Sequence, residues 1–190
     1  MTQFEFIAIV ISVILGLSIA KLVSGIGDSI RAIKDGKFYW IHGVWIINIL
    51  ILVAGFWWGS YGWSLKEDWN FFNFLLILLF TINLYLLSDF LIPKKSISEV
   101  DIKAYFSENR KMFFALLLFT FVVDIVETNL LARTGIRSIP KGWYSVIGVL
   151  MLFSLIGYMS SRVKIQAIIA VLWGMVLVSY VAYGILFLGT

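Results

Sequence analysis

The sequence predicts an all-α, polytopic membrane protein: a compact bundle of six transmembrane helices that occupies residues 1–190 as a single domain. Three observations predict it. Six apolar stretches are long enough to cross a bilayer. Apolar residues make up 61% of the chain and charged residues 14%, against about 25% charged in a soluble domain. Lys and Arg lie mostly on one side of the predicted spans. Lipid is therefore the expected solvent, and the bilayer the expected partner.

Each apolar stretch has the length that a membrane requires. A hydrocarbon core about 30 Å thick is crossed by about 20 helical residues, each rising 1.5 Å. The first stretch has no Lys or Arg before it, so we expect a retained span and not a cleaved signal peptide. The six predicted spans are residues 4–26, 39–62, 70–92, 112–132, 143–161 and 165–188.

The basic residues predict the orientation of these spans. The first, third and fifth connections, together with the end of the first span, carry 11 of the 15 Lys and Arg residues, and the other connections carry 4. Because basic loops stay in the cytoplasm, both termini are expected on the non-cytoplasmic side of a bacterial inner membrane or plasma membrane. The net charge of +4 follows from this asymmetry. The sequence has no basic stripe that would predict nucleic acid as a partner.

Small residues recur every fourth position in the first span. This spacing places them on one helical stripe with no side chain larger than serine, as is typical of close helix packing in lipid. We expect the stripe to pack against another helix of the same chain; a seam between copies in a homo-oligomer and a groove for lipid are the alternatives. The stripe consists of Ala8, Ser12, Gly16, Ala20 and Ser24.

Aromatic residues cluster where the second span ends and the third begins. Indole and phenol rings prefer the headgroup level of a membrane, so the cluster predicts an interfacial belt. An aromatic cage for a quaternary ammonium group is the alternative, because ring faces attract cations. The cluster consists of Trp57, Trp58, Tyr61, Trp63 and Trp69.

The third connection, residues 94–111, follows Pro93 and is the longest and most charged. Ser98 is a candidate cap for a short helix in which Ile102, Tyr105 and Phe106 share one face. We therefore expect a cytoplasmic amphipathic loop whose helix lies in the headgroup region. Docking of a partner protein is the alternative role.

Two carboxylates in the fourth span are the leading candidate site. Asp124 and Glu127 lie three residues apart on one helical face, with Thr128 one turn from Asp124. An acid in hydrocarbon costs about 3 kcal/mol at the helix centre, so both are expected to face the bundle interior as an ion or proton site. Glu5 is a further candidate for this acidic face. The alternative is structural: pairing of the acids with Arg133 or with amide and hydroxyl groups of other helices, namely Asn48, Thr81 and Asn83.

A second polar group is predicted near the cytoplasmic headgroups. Lys21 ends the first span, His42 begins the second and Asp89 ends the third. Lys21 and Asp89 are candidates for an ion pair, and His42 for a hydrogen bond. A proton exit opposite the outer carboxylates is the functional alternative to simple pairing near the interface.

The sequence provides no catalytic or cofactor motif. It has no cysteine and one histidine, which excludes thiolate chemistry and the common zinc and bis-histidine haem sites within one chain. No cofactor, metal or enzymatic activity is expected. The composition and the two acids favour a proton- or cation-linked transporter or channel-like protein for an unknown small ion or solute. The alternative is a non-transporting scaffold or regulatory subunit that acts through helix packing and homo-oligomer formation.

Overall fold

The computed structural model describes residues 2–66, 68–95, 99–136 and 138–187, with side chains to residue 183. This part of the chain is all-helical, with six α-helices and one 3₁₀-helix, and it contains no strand. The helices are α1 (Gln3–Lys34), α2 (Trp40–Gly59), the 3₁₀-helix (Ser60–Leu65), α3 (Phe71–Leu91), α4 (Ile102–Arg133), α5 (Trp143–Met159) and α6 (Val163–Phe187).

Five of these helical segments are long and apolar enough to cross a membrane, judged by length and composition: α1, α2 together with the 3₁₀-helix, α3, α4 and α6. The remaining helix, α5, is apolar but has only 17 residues. At 1.5 Å per residue its length is about 26 Å, just short of a typical hydrocarbon core.

Local sequence signals fix several helix ends. Thr2 and Glu5 form a capping box at the start of α1, and Asn70 caps α3 by accepting from the backbone N–H of Asn73. At the end of α1, Gly36 has a φ of +68°, a left-handed conformation that side-chain-bearing residues rarely adopt. Helix α3 stops at Leu91, two residues before Pro93, which has no N–H to donate into a helix.

The helices form a closed ring in which each packs on two neighbours, in the order α1, α3, α4, α5, α6, α2. Helix α2 also contacts α3 and α4 across the middle. Because consecutive helices alternate in direction, one end of the bundle carries Trp63, Trp69 and Trp143 and is called here the tryptophan end. The opposite end, with Lys34 and Arg162, is called the basic end.

The prediction of a separate amphipathic helix within the connection 94–111 is wrong. Helix α4 starts at Ile102 and continues without a break into the predicted fourth span, and Asp101 caps it by accepting from two backbone N–H groups. Ile102 and Phe106 are buried, and the ring of Phe106 packs against His42. Their apolar face is therefore covered by the bundle and is not free for a headgroup layer. The candidate cap Ser98 lies outside the described residues.

The expectation that the small-residue stripe of α1 packs within the chain is wrong for the last three of its five residues. Gly16, Ala20 and Ser24 are exposed, and a Cβ atom added at Gly16 would meet no atom within 4 Å. Ala8 and Ser12 are half-buried. The side of α1 that enters the core carries mostly large apolar residues up to Leu22 and small residues after it. The large residues are Ile7, Ile11, Leu15 and Leu22, and the small ones are Ser18, Gly25, Ser29 and Ala32.

Candidate functional site

The two predicted acids of α4 line a cavity of about 140 Å³ near the tryptophan end. Asp124 is half-buried and Glu127 is 5% exposed. Thr128 follows on the same face, and Thr120 lies one turn before Asp124. We call this space the carboxylate cavity. Its four polar groups from α4 all lie on one side of the space.

The remaining walls of the carboxylate cavity are almost wholly apolar and come from the other helices, except for Phe121 of α4. Their side chains carry no oxygen except the phenol of Tyr180. The apolar and aromatic lining consists of Ile51, Leu52, Phe56, Phe80, Phe121, Trp143, Ile147, Leu150, Leu177 and Val181. The cavity therefore has one acidic side and one hydrocarbon side.

Glu127 is held by a residue that sequence reasoning assigned to another role. The indole Nε1 of Trp63 donates a hydrogen bond of 2.5 Å to Glu127 Oε1. Trp63 is fully buried, whereas Trp57, Trp58 and Tyr61 are exposed as an interfacial belt requires. A hydrogen bond from a buried donor to a carboxylate lowers the cost of placing that carboxylate in an apolar interior. No sequence signal distinguished Trp63 from its exposed neighbours.

The amide and hydroxyl groups proposed as structural partners of the acids make other bonds. Asn48 donates to the backbone carbonyl of Ala170 at 2.9 Å, and Thr81 donates to carbonyls of its own helix. Asn83 donates to Thr120 Oγ1 at 2.7 Å. This last bond fixes one polar group of the cavity wall to α3.

Glu5 does not join the acidic face. It is exposed at the start of α1, where its carboxylate accepts from the backbone N–H of Thr2 at 2.8 Å. The residues that line the carboxylate cavity do not include it. Of the predicted ion or proton site, the structure brings together Asp124, Glu127 and Thr128.

At the basic end, the structure pairs Lys21 of α1 with Asp89 of α3 through their side chains. His42 of α2 is buried, and its Nε2 lies 2.8 Å from the carbonyl oxygen of Leu91. A carbonyl oxygen can only accept, so Nε2 carries the proton. His42 thereby satisfies a carbonyl at the C-terminus of α3 that has no partner within its helix.

A cluster of packed rings separates the carboxylate cavity from the basic end. The ring of Trp45 lies 5.0 Å from that of Phe113, 5.3 Å from Phe114 and 5.4 Å from Trp173. Phe121, 6.1 Å from Trp173, belongs to both the cluster and the cavity wall. All five rings are buried. This aromatic cluster lies between the cavity and the basic end.

Arg110 was expected in the solvated third connection, but the structure places it inside the bundle. It is buried in α4, and its Nη1 lies 2.6 Å from the carbonyl oxygens of Gly157 and Tyr158 and 2.8 Å from that of Ser160. Gln166 donates to two of the same carbonyls. The guanidinium therefore caps the C-terminus of α5, where carbonyls lack helical partners and a positive charge is favourable.

Comparisons with protein-family models, with curated proteins and with solved structures found no match. Among the described residues, no group of three or more His, Cys, Asp or Glu side chains is placed to hold a metal ion.

Proposed function

We propose that this chain is a multi-pass membrane protein in which all six α-helices cross the bilayer, with both termini on the non-cytoplasmic side. Large apolar side chains such as Phe6, Leu17, Phe72 and Leu152 are more than half exposed, which suits lipid and not water. The short α5 is long enough to span with a slightly thinned bilayer. Because the chain has no cysteine, single cysteines introduced at Thr2 and at Lys34 test the orientation. Only the first is expected to react with an impermeant maleimide added to whole cells.

We further propose that the protein moves protons or cations by way of Asp124 and Glu127. The observation that carries this proposal is the carboxylate cavity: Asp124 and Glu127, in a predominantly apolar helix, line a space large enough for a small ligand. Acids inside a membrane are costly and are typical of ion or proton pathways. A purely structural pair of acids would need no such space beside it.

The two acids have different surroundings, which supports different roles. Glu127 is nearly fully buried and bound to Trp63. Asp124 is half-buried in the cavity wall. We therefore assign the exchangeable charge to Asp124 and the fixed one to Glu127. Transport then requires the aromatic cluster to rearrange, because it lies between the cavity and the basic end.

Charge movement in proteoliposomes tests this function. The wild type is challenged with gradients of protons, sodium, potassium and organic ammonium ions on a capacitive membrane sensor. Asp124→Asn is expected to abolish the current and Glu127→Gln to reduce it strongly. Glu5→Gln is the matched control, because it removes an exposed carboxylate at the same end of the bundle, and its current is expected to equal that of the wild type. Equal currents in all three variants, or none in the wild type with any gradient, contradict the proposal.

A second candidate function is that of a scaffold which assembles through α1. The supporting observation is that Gly16, Ala20 and Ser24 form an exposed small-residue surface, the kind that lets helix backbones approach closely in lipid. Gly16→Ile is expected to abolish cross-linking between copies in membranes. Gly148→Ile is the control, because Gly148 is an exposed glycine on α5. Cross-linking that is absent in the wild type, or unaffected by Gly16→Ile, contradicts this function.

A further inference from the structure

We propose that the carboxylate cavity binds a small amphipathic organic cation: an ammonium group attached to an apolar body about the size of a benzene ring. This inference rests on the proposed function and specifies the ligand of the same site. It depends on the distribution of polar groups around the cavity, the aromatic character of its walls and its volume.

The distribution of oxygen atoms disfavours a bare metal ion. Ca²⁺ takes about six to eight oxygen ligands and Mg²⁺ about six, arranged around the whole ion. The carboxylate cavity offers side-chain oxygens from one face of α4, at Thr120, Asp124, Glu127 and Thr128, and from elsewhere only the phenol of Tyr180. A metal ion bound to α4 would face hydrocarbon on its other side. An ammonium group differs because its fourth substituent is itself hydrocarbon.

The aromatic rings of the wall complement such a ligand. Phe56 and Phe80 are stacked with their centroids 4.2 Å apart and both line the cavity, as do Phe121 and Trp143. The same rings provide apolar contact for the body of the ligand. Carboxylates on one side and rings on the other thus match the two ends of one amphipathic molecule.

The volume sets the size of the ligand. A protein cavity of about 150 Å³ holds one benzene-sized molecule, and the carboxylate cavity measures about 140 Å³. Benzylammonium and cyclohexylammonium are therefore suitable probes. Larger cations such as tetrabutylammonium exceed the space.

Calorimetric titration of the full chain in detergent, corrected for titration of empty micelles, tests the inference. The probes are benzylammonium, its neutral analogue benzyl alcohol, tetrabutylammonium and sodium ion, all at pH 7. Benzylammonium is expected to bind about tenfold or more tightly than benzyl alcohol, because a charged hydrogen bond contributes at least that much. Asp124→Asn is expected to remove this preference for the charged probe.

A cavity-filling substitution shows whether binding occurs in this space. Gly55 lines the cavity, and a Cβ atom there would meet only Val181 at 3.8 Å, so Gly55→Leu places its side chain in the space with little strain on the backbone. It is expected to weaken benzylammonium binding at least about tenfold. Gly148→Leu makes the same change at an exposed position of α5, where no atom lies within 4 Å of the added Cβ, and is expected to bind as the wild type does.

The outcomes separate this inference from the proposed function. Equal affinity for benzylammonium and benzyl alcohol, or undiminished binding by Gly55→Leu, overturns the inference. Proton or sodium currents that depend on Asp124, without benzylammonium binding, overturn the inference and leave the transport proposal standing. Benzylammonium binding that depends on Asp124, without any current, supports the inference and contradicts transport. The affinities of the four probes for the wild type test the inference even if a variant does not fold.

Discussion

Replacing Gly157 by alanine is expected to destabilise the protein, whereas the same replacement at Gly148 of the same helix is not. A Cβ atom added at Gly157 would lie 2.4–2.8 Å from three atoms of the Phe114 ring. That ring is fully buried in the aromatic cluster, in contact with Trp45 and Phe113, so it has no free space into which to move. A Cβ atom at Gly148 would meet nothing within 4 Å.

The difference between these two variants gives the magnitude. Both gain up to about 1 kcal/mol from the higher helix propensity of alanine. Only Gly157→Ala also incurs the cost of overpacking a filled core, about 1–3 kcal/mol. At about 2–4 °C per kcal/mol for a chain of this size, the melting temperature of Gly157→Ala should lie about 2–12 °C below that of Gly148→Ala.

Thermal unfolding in one detergent, followed by tryptophan fluorescence, measures that difference. The double variant Gly157→Ala, Phe114→Leu provides a further check, because a smaller side chain at position 114 makes room for the added methyl group. Alanine at Gly157 should then cost less in the Phe114→Leu background than in the wild type. Equal melting temperatures for Gly157→Ala and Gly148→Ala would refute the reasoning, since they would show that Phe114 does not hold α5 at this distance.

Two further predictions concern the polar contacts at the basic end. The side chains of Lys21 and Asp89 are 25% and 31% exposed, so their ion pair is only weakly stabilising. A double-mutant cycle with Lys21→Met and Asp89→Asn should give a coupling energy of only about 0.5–1 kcal/mol in thermal unfolding. A coupling energy of zero would show that this ion pair does not stabilise the protein. Arg110→Lys keeps the charge but loses the planar guanidinium that reaches the carbonyls of Gly157 and Ser160, so it should cost about 1.5–3 kcal/mol in the same assay. Stability equal to that of the wild type would show that a point charge suffices there.

The number and approximate position of the helices could be predicted from the sequence because helix length and apolar composition are local properties. The predicted span 143–161 differs from α5, Trp143–Met159, by only two residues at its end. The end of α1 and the start of α4 show the limit of this approach. Helix α1 continues to Lys34 and α4 begins at Ile102, because a helix does not have to end where its apolar stretch does. Charged turns such as those around Arg31 and Lys103 are compatible with both loop and helix.

The site was only partly predictable, because its partners come from distant parts of the chain. The cost of an acid in hydrocarbon identified Asp124 and Glu127 without any structure. That cost could not indicate that Trp63, 64 residues before Glu127, donates a hydrogen bond to it. The neighbouring tryptophans of the sequence carry the same indole N–H donor. Arg110 was misjudged for a related reason: a Lys or Arg near a span end predicts the membrane side but does not reveal whether the side chain turns toward solvent or toward a neighbouring helix end.

The small-residue stripe of α1 shows why a pattern has to be interpreted together with the face opposite to it. Small residues permit close approach, but a bundle also needs volume to fill its centre, and the face with Ile11, Leu15 and Leu22 supplies it. Once that face is buried, the stripe has to point outward, because the two faces lie on opposite sides of one helix.

The carboxylate cavity follows from the same competition. Thr120, Asp124 and Thr128 occupy the inward face of α4 at positions where large apolar residues would otherwise fill the space. The side-chain oxygens that border the resulting gap lie on that face, apart from the phenol of Tyr180. The one-sided polarity of the cavity thus follows from the polar residues of α4, and the proposed ligand with one charged end rests on this one-sidedness.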